Sequence, residues 1–198
     1  MKRALVLIHL LLLPICAFAS TKSIVSRARF EHPKKVVSLV IAASLKNYRN
    51  GQGVEFSKQV CDLLQPRKIP NRLISLSHPI DLSPAADTLA ESDQQALLQT
   101  IEKESPSHIL YMCLSATRDM TTGGGSHFMA TGPRGAGMMV GGVATELEYV
   151  YRLTLRQHED GQIIWKGKLT LRGLKLDDSD ASGAAQVIVN QLATDGLL

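Results

Sequence analysis

Two kinds of apolar pattern divide the chain. Val36 to Ala43 (VVSLVIAA) and His108 to Leu114 (HILYMCL) are short runs apolar on both faces, the pattern of strands covered on both sides of a sheet. Glu146 to Arg156 (ELEYVYRLTLR) alternates instead: Leu147, Tyr149, Tyr151, Leu153 and Leu155 are apolar, and the positions between them are polar apart from Val150. Ile163, Trp165, Leu169 and Leu171 do the same against Lys166, Lys168, Thr170 and Arg172. Strands of this kind put one face on a core and one in water, as an antiparallel pair does.

Helical spacing fills the intervals. After turn chemistry at Asn47 to Gly53 (NYRNGQG), the segment Val54 to Gln65 carries Phe56, Val60, Leu63 and Leu64 on one face until Pro66 stops it. Arg72 to Ser77 (RLISLS) predicts a short second strand, followed by a polar loop, HPIDLSP. Ser92 and Gln95 make an S-x-x-Q capping box ahead of Leu97, Leu98 and Ile101, which predicts a helix to Glu104. Ser182 to Thr194 (SGAAQVIVNQLAT) is the last helix, with Ser179 or Asp180 to cap its start and Gly196 its end. The order is β-α-β-α-β, then a β-hairpin and a C-terminal helix. It predicts an α/β (mixed α+β) fold with a five-stranded mixed sheet packed with helices.

The hairpin register follows from the same pattern, because residues directly opposed lie on one face. A two-residue Asp160-Gly161 turn would set Leu155 against Lys166. A three-residue loop, Glu159-Asp160-Gly161, with glycine in the left-handed position, sets Leu155 against Trp165 and Leu153 against Gly167. The latter is the predicted turn.

The stretch Ser115 to Thr145 (SATRDMTTGGGSHFMATGPRGAGMMVGGVAT) fits neither pattern. It holds eight of the chain's 15 glycines together with Phe128, Met129, Met138 and Met139. Loops this long inside a compact domain tend to be functional or disordered, and apolar side chains have no use in a merely solvated connection. One reading is a mobile hairpin connection, or one whose ends extend the flanking strands. The other is a contact surface over residues 118–144, bracketed by Arg118 and Arg134, that orders against a partner. The triplet Gly123-Gly124-Gly125 is no phosphate loop, since a strand rather than a helix follows it and no lysine stands at the required spacing.

The first residues have the form of a secretory signal: Lys2 and Arg3, an apolar Leu5 to Leu13, and Ala17-Phe18-Ala19 as a small-x-small site, with cleavage after Ala19. Leu5 to Leu13, ended by Pro14, falls short of the ~20 residues a spanning helix needs. Cys16 stands where a lipoprotein cysteine would, but Ile15 occupies the position that requires a small residue. Residues 1–19 are therefore the signal, 20–35 a basic leader or linker, and 36–198 one domain, secreted and in a bacterium periplasmic. The leader's Lys22, Arg27, Arg29, Lys34 and Lys35 could touch an anionic membrane, though such charges usually mark a solvated tail. Without Lys2 and Arg3 the 22 basic residues become 20 against 18 acidic ones, which gives no electrostatic case for nucleic acid. Cys61 and Cys113 either form a disulfide in the oxidising compartment or stay buried as small hydrophobes.

Catalytic and metal chemistry leave little trace. His32, His78, His108, His127 and His158 are scattered, without metal-ligand spacing, and no cofactor motif is present. There is no G-x-S-x-G elbow, and Cys113 sits in mid-strand. The alternative site lies at the C-terminal ends of the parallel strands, where open α/β sheets take ligands: Asn47, Tyr48, His78 and Asp81, as a small-ligand pocket or a hydrolytic site.

The segment Asp160 to Gly167 (DGQIIWKG), followed by a final helix ending VNQLATDGLL (Val189 to Leu198), resembles the C-terminal half of small bacterial envelope proteins and lipoproteins. The element order is similar to that of the N-terminal domain of the Tol-system translocation protein, the curli secretion lipoprotein and the outer-membrane lipoprotein activators of peptidoglycan synthases. This resemblance covers residues 36–198. It implies a non-catalytic envelope protein that acts through contacts with a protein partner or with itself, and it carries no functional residue across.

Overall fold

The apolar run that opens the domain becomes a strand buried at every position, and the sheet is built outward from it. The computed structural model describes residues 22–24, 28–29, 34–44, 56–78, 89–122, 127–130, 137–140, 144–173 and 178–198. In chain order the elements are β1 (Lys22–Ile24), β2 (Ala28–Arg29), β3 (Leu39–Ser44), α1 (Phe56–Leu64), β4 (Asn71–Ser75), α2 (Glu91–Glu104), β5 (His108–Thr122), β6 (His127–Ala130), β7 (Gly137–Val140), β8 (Ala144–Gln157), β9 (Ile163–Gly173) and α3 (Asp178–Thr194).

The main sheet runs β1-β9-β8-β5-β3-β4. β3 is parallel to β4 and β5, whereas β5 with β8 and β8 with β9 are antiparallel. The expected five-stranded mixed sheet with its terminal hairpin and helix is thus present. Two short pieces, β1 and β2, add to its edge on β9. They come from the basic leader, where no periodicity announces them. A two- or three-residue edge strand is held by backbone pairing and needs no apolar face.

Strand alternation divides the core in two. Leu39, Ile41 and Ala43 of β3, Leu110 and Met112 of β5, the odd residues Tyr149 to Leu155 of β8, and Trp165, Leu169 and Leu171 of β9 face α1 and α3. The small residues Ala181, Ala184 and Ala185 let α3 sit close on that face, with Ile188, Val189 and Leu192 completing the contact. Val40, Ala42, Ile109 and Cys113 face the other way, toward Leu97 and Ile101 of α2. Cys61 belongs to the α1 side and Cys113 to the α2 side, so the sheet lies between them and no disulfide joins them.

The helix ends differ from expectation at two places and agree at a third. Ser92 lies in the first turn of α2, not at its cap; Ala90 is the N-cap and makes no side-chain cap bond, so the S-x-x-Q box is not formed. Ser179 and Asp180 likewise fall inside α3, which begins at Asp178. At the end of α3, Gly196 is left-handed with φ 75°, Leu197 N–H donates to the Leu192 carbonyl at 2.9 Å and Gly196 N–H to that of Ala193 at 3.0 Å. This pair of bonds is a Schellman closure. Val36 N–H then donates to the Leu197 carbonyl at 2.8 Å, tying the two ends of the domain.

The hairpin body has the predicted register, Leu155 opposite Trp165 and Leu153 opposite Gly167, with Gly161 left-handed at φ 68°. Its turn is longer than expected. Gln157 N–H donates to the Gln162 carbonyl at 2.9 Å, so four residues close the loop, and a shift after Leu155 leaves Ile164 as the extra residue that restores the register.

Candidate functional site

β5 was expected to end at Leu114, yet it continues to Thr122. A bulge at Ser115 makes this possible, the register shifting between Leu114 and Ala116 while the Ser115 hydroxyl donates to the Val150 carbonyl at 2.9 Å. One extra residue reverses the alternation. Arg118 thereby stands opposite Glu148, on the face away from α1 and α3, rather than on the core face.

The β5–β8 ladder also outruns its neighbours. β3 ends at the Ser44–Cys113 pair and β9 at the Gly173–Leu147 pair, while β5 and β8 go on to pair Met120 with Glu146, Thr121 with Thr145 and Thr122 with Ala144. Beyond them, β6 and β7 form a separate two-stranded sheet. Its ladder places Phe128 opposite Met139 and Met129 opposite Met138. Among the described residues, β6 and β7 pair only with each other.

Of the loop residues singled out in the sequence, four therefore meet in one ladder. Arg118 is well exposed, and its guanidinium lies 3.6 Å from the Glu148 carboxylate, which Arg172 holds at 2.7 Å. Glu148 itself is buried at 6%. Periodicity could not show its part as the centre of this triad, because the triad depends on strand register. Arg134 lies outside the described residues.

Of the alternative site only His78 lies among the described residues. Asn47, Tyr48 and Asp81 are outside the described residues, and His78 meets Ser44 and Asp93. Its carbonyl accepts the Ser44 hydroxyl, its N–H donates to Asp93 Oδ2 at 2.9 Å, and its ring Nδ1 lies 3.2 Å from the same oxygen. Ser77 N–H donates to Asp93 Oδ1, also at 2.9 Å. Asp93 clamps the end of β4 to the first turn of α2. Burial disfavours its charge, but the two backbone donors and the His78 ring outweigh that and hold the carboxyl below its ordinary range. Sequence reading missed Asp93. An acidic residue in the first turn of a helix is a common dipole device, and its partners here, Ser77 and His78, come from the segment just after β4.

Two further groups could carry chemistry. Burial, with the adjacent Asp62 charge, pushes the Cys61 thiol up to about 11, which leaves it protonated and unreactive near neutrality. His108 is 1% exposed; its Nδ1 meets the Ser107 hydroxyl at 2.9 Å and its Nε2 has no hydrogen-bond partner among the described residues. Burial first and Lys34 second lower its pKa, against a smaller opposing effect of Asp160. No group of three or more metal-ligating side chains occurs among the described residues, nor is any helix there long and apolar enough to cross a membrane.

No protein-family model matches the chain, and no curated protein matches it in sequence. Solved structures are similar in outline. A PelC dodecamer from Paraburkholderia phytofirmans aligns at 13% identity over 88% of this chain and 97% of that one, with a TM-score of 0.49. Lipoprotein GNA1162 from Neisseria meningitidis aligns at 10% identity over 80% and 99%, with a TM-score of 0.43. The hypothetical protein CT253 from Chlamydia trachomatis aligns at 8% identity over 81% and 97%, with a TM-score of 0.36.

Proposed function

We propose that this protein is a non-enzymatic binding or assembly module of the bacterial envelope, exported by its N-terminal signal, and that it works through protein contacts made by the glycine- and methionine-rich segment. The observation that carries this reading is the β6–β7 ladder, set beyond a β5–β8 arm that has outrun the rest of the sheet. A two-stranded hairpin alone is at best marginally stable in water. One whose ladder pairs phenylalanine and methionine gains most from a further strand or an apolar surface supplied by a partner. Arg118, Phe128, Met129, Arg134, Met138 and Met139 are the contact residues in this reading, and the partner is an envelope protein or a second copy of the chain.

The test replaces residues 123–142 by a short turn that still closes Thr122 onto Ala144. The shortened protein is expected to keep its circular dichroism and cooperative melting, and to lose the discrete crosslinked species that the intact protein forms in cells. An unchanged set of crosslinked species contradicts the proposal.

A further inference from the structure

The face of the sheet opposite α1 and α3 is only partly covered. α2 packs over β3, β4 and the start of β5, and the remainder, over β5, β8 and β9, exposes Arg118, Arg152, Lys166 and Lys168. These residues lie on successive rungs. Arg118, Glu148 and Arg172 make one rung; Ala116, Val150 and Thr170 make the next; Arg152 stands opposite Lys168 on the third; and Lys166 follows on the fourth opposite Thr154.

Two features set this surface apart from an ordinary solvated face. Like charges placed directly opposite each other in a sheet destabilise it, and Arg152 with Lys168 is such a pair. Among the described residues no carboxylate pairs with Arg152, Lys166 or Lys168, since Glu148 is taken by Arg172 and Arg118. The second feature is shape. The small middle rung between rungs of long side chains leaves a groove of about 360 Å³, with Ala116, Val150 and the Gly167 backbone as its floor and Ser115, the bulge residue, at its side.

We propose that this groove is an anion site for a compact, multiply charged phosphate group, carried by a soluble molecule or by a lipid headgroup. Three unmatched cations lie on adjacent rungs of two neighbouring strands, so one carboxylate would leave most of their charge unbalanced. A phosphate monoester brings roughly −1.5 to −2 near neutral pH in a single group. Its oxygens accept the guanidinium fork of Arg152 while the two ammonium groups approach as point charges. An extended acidic peptide would present carboxylates on one side only every ~6.6 Å, one at a time to cations that stand together. The Ser115 bulge belongs to the same design, because it turns Arg118 onto this face.

The probe is inorganic pyrophosphate, titrated calorimetrically into the purified protein at constant ionic strength, with sulfate as the non-phosphate anion. Saturable binding of pyrophosphate is expected, weakened about tenfold or more in Arg152→Gln/Lys168→Gln through loss of charge-assisted hydrogen bonds and unaffected in Lys103→Gln on α2. The melting temperature of the unliganded double variant should be unchanged or raised, because a like-charge pair has gone. Sedimentation with phosphatidic acid vesicles, but not phosphatidylcholine vesicles, lost in the double variant and without pyrophosphate binding, assigns the phosphate to a lipid headgroup. Failure of both phosphate probes, equal affinity for sulfate, affinity unchanged in the double variant, or tighter binding of a hexaglutamate peptide each overturns the proposal.

Discussion

The indole Nε1 of Trp165 donates to Asp195 Oδ2 at 2.7 Å, fastening the start of β9 to the residue that follows α3. Trp165 is fully buried, and it lies over Gly167, the residue opposite Leu153. A Cβ at position 167 would overlap Cη2 and Cζ2 of the indole. The glycine is thus required by the ring's position, and the Asp195 bond keeps the ring there.

Asp195→Ala leaves a buried N–H without an acceptor and should cost about 1–3 kcal/mol, measured by urea unfolding followed by Trp165 fluorescence. Gly167→Ala should cost a similar ~1–3 kcal/mol by overpacking. Because both act on the same ring, their effects should fall short of additive in the double variant.

Asp93 should set the acid limb of stability. Its carboxyl is depressed in the folded protein relative to an ordinary 3.8, so the unfolded chain takes up the proton first. The stabilisation is complete above that value and disappears as pH falls through the lower, folded one. Asp93→Asn should lower the melting temperature at neutral pH and flatten the acid limb; a limb of unchanged steepness would separate Asp93 from it.

His108 acts in a higher window. Its folded pKa lies below the ordinary 6.5, so the unfolded state binds the proton first and stability should decline as pH drops from about 6.5 toward the folded value. Lys34 and Asp160 are the charges that face it. In His108→Gln that decline should vanish, as seen by comparing melting temperatures at pH 7.5 and 5.5.

Ser115 is an extra residue on its strand, so its side chain and its presence can be tested separately. Ser115→Ala loses one hydroxyl-to-carbonyl bond, a cost of about 1 kcal/mol. Deletion of the residue removes the unpaired position and keeps the pairs on either side, Leu114 with Tyr151 and Ala116 with Val150, so Arg118 stays opposite Glu148. Calorimetric melting should therefore show a loss of about 1 kcal/mol for the deletion too, since the same bond is forfeited and no other pair changes; a several-fold larger loss would contradict the register.

How much of this was legible beforehand depended on range. The alternation in Tyr149 to Leu155 and in Trp165 to Leu171 was enough to place Leu155 against Trp165, because a one-residue slip would put Lys166 in the core. The double-sided apolar runs at Val36 and His108 marked the sheet centre for the same reason. The extension of β5 was only one of the readings open for its stretch, since residues 115–122 are mostly polar and the bulge breaks the period by which a strand is recognised. The basic groove was hidden with it: each cation reads singly as a solvated position, and only the ladder brings Arg118, Arg152 and Lys168 together. Asp93 and the edge strands β1 and β2 depend on partners far along the chain, which no local pattern carries.

The contact role of the β6–β7 hairpin is tested most directly by a photoreactive amino acid placed at Phe128, at Met139 and, as control, at Lys103 on α2, followed by irradiation of intact cells. Discrete adducts, with one envelope protein or with a second copy of the chain, are predicted from positions 128 and 139 and not from 103. Absence of adducts at both hairpin positions, or the same adducts from 103, would contradict the account.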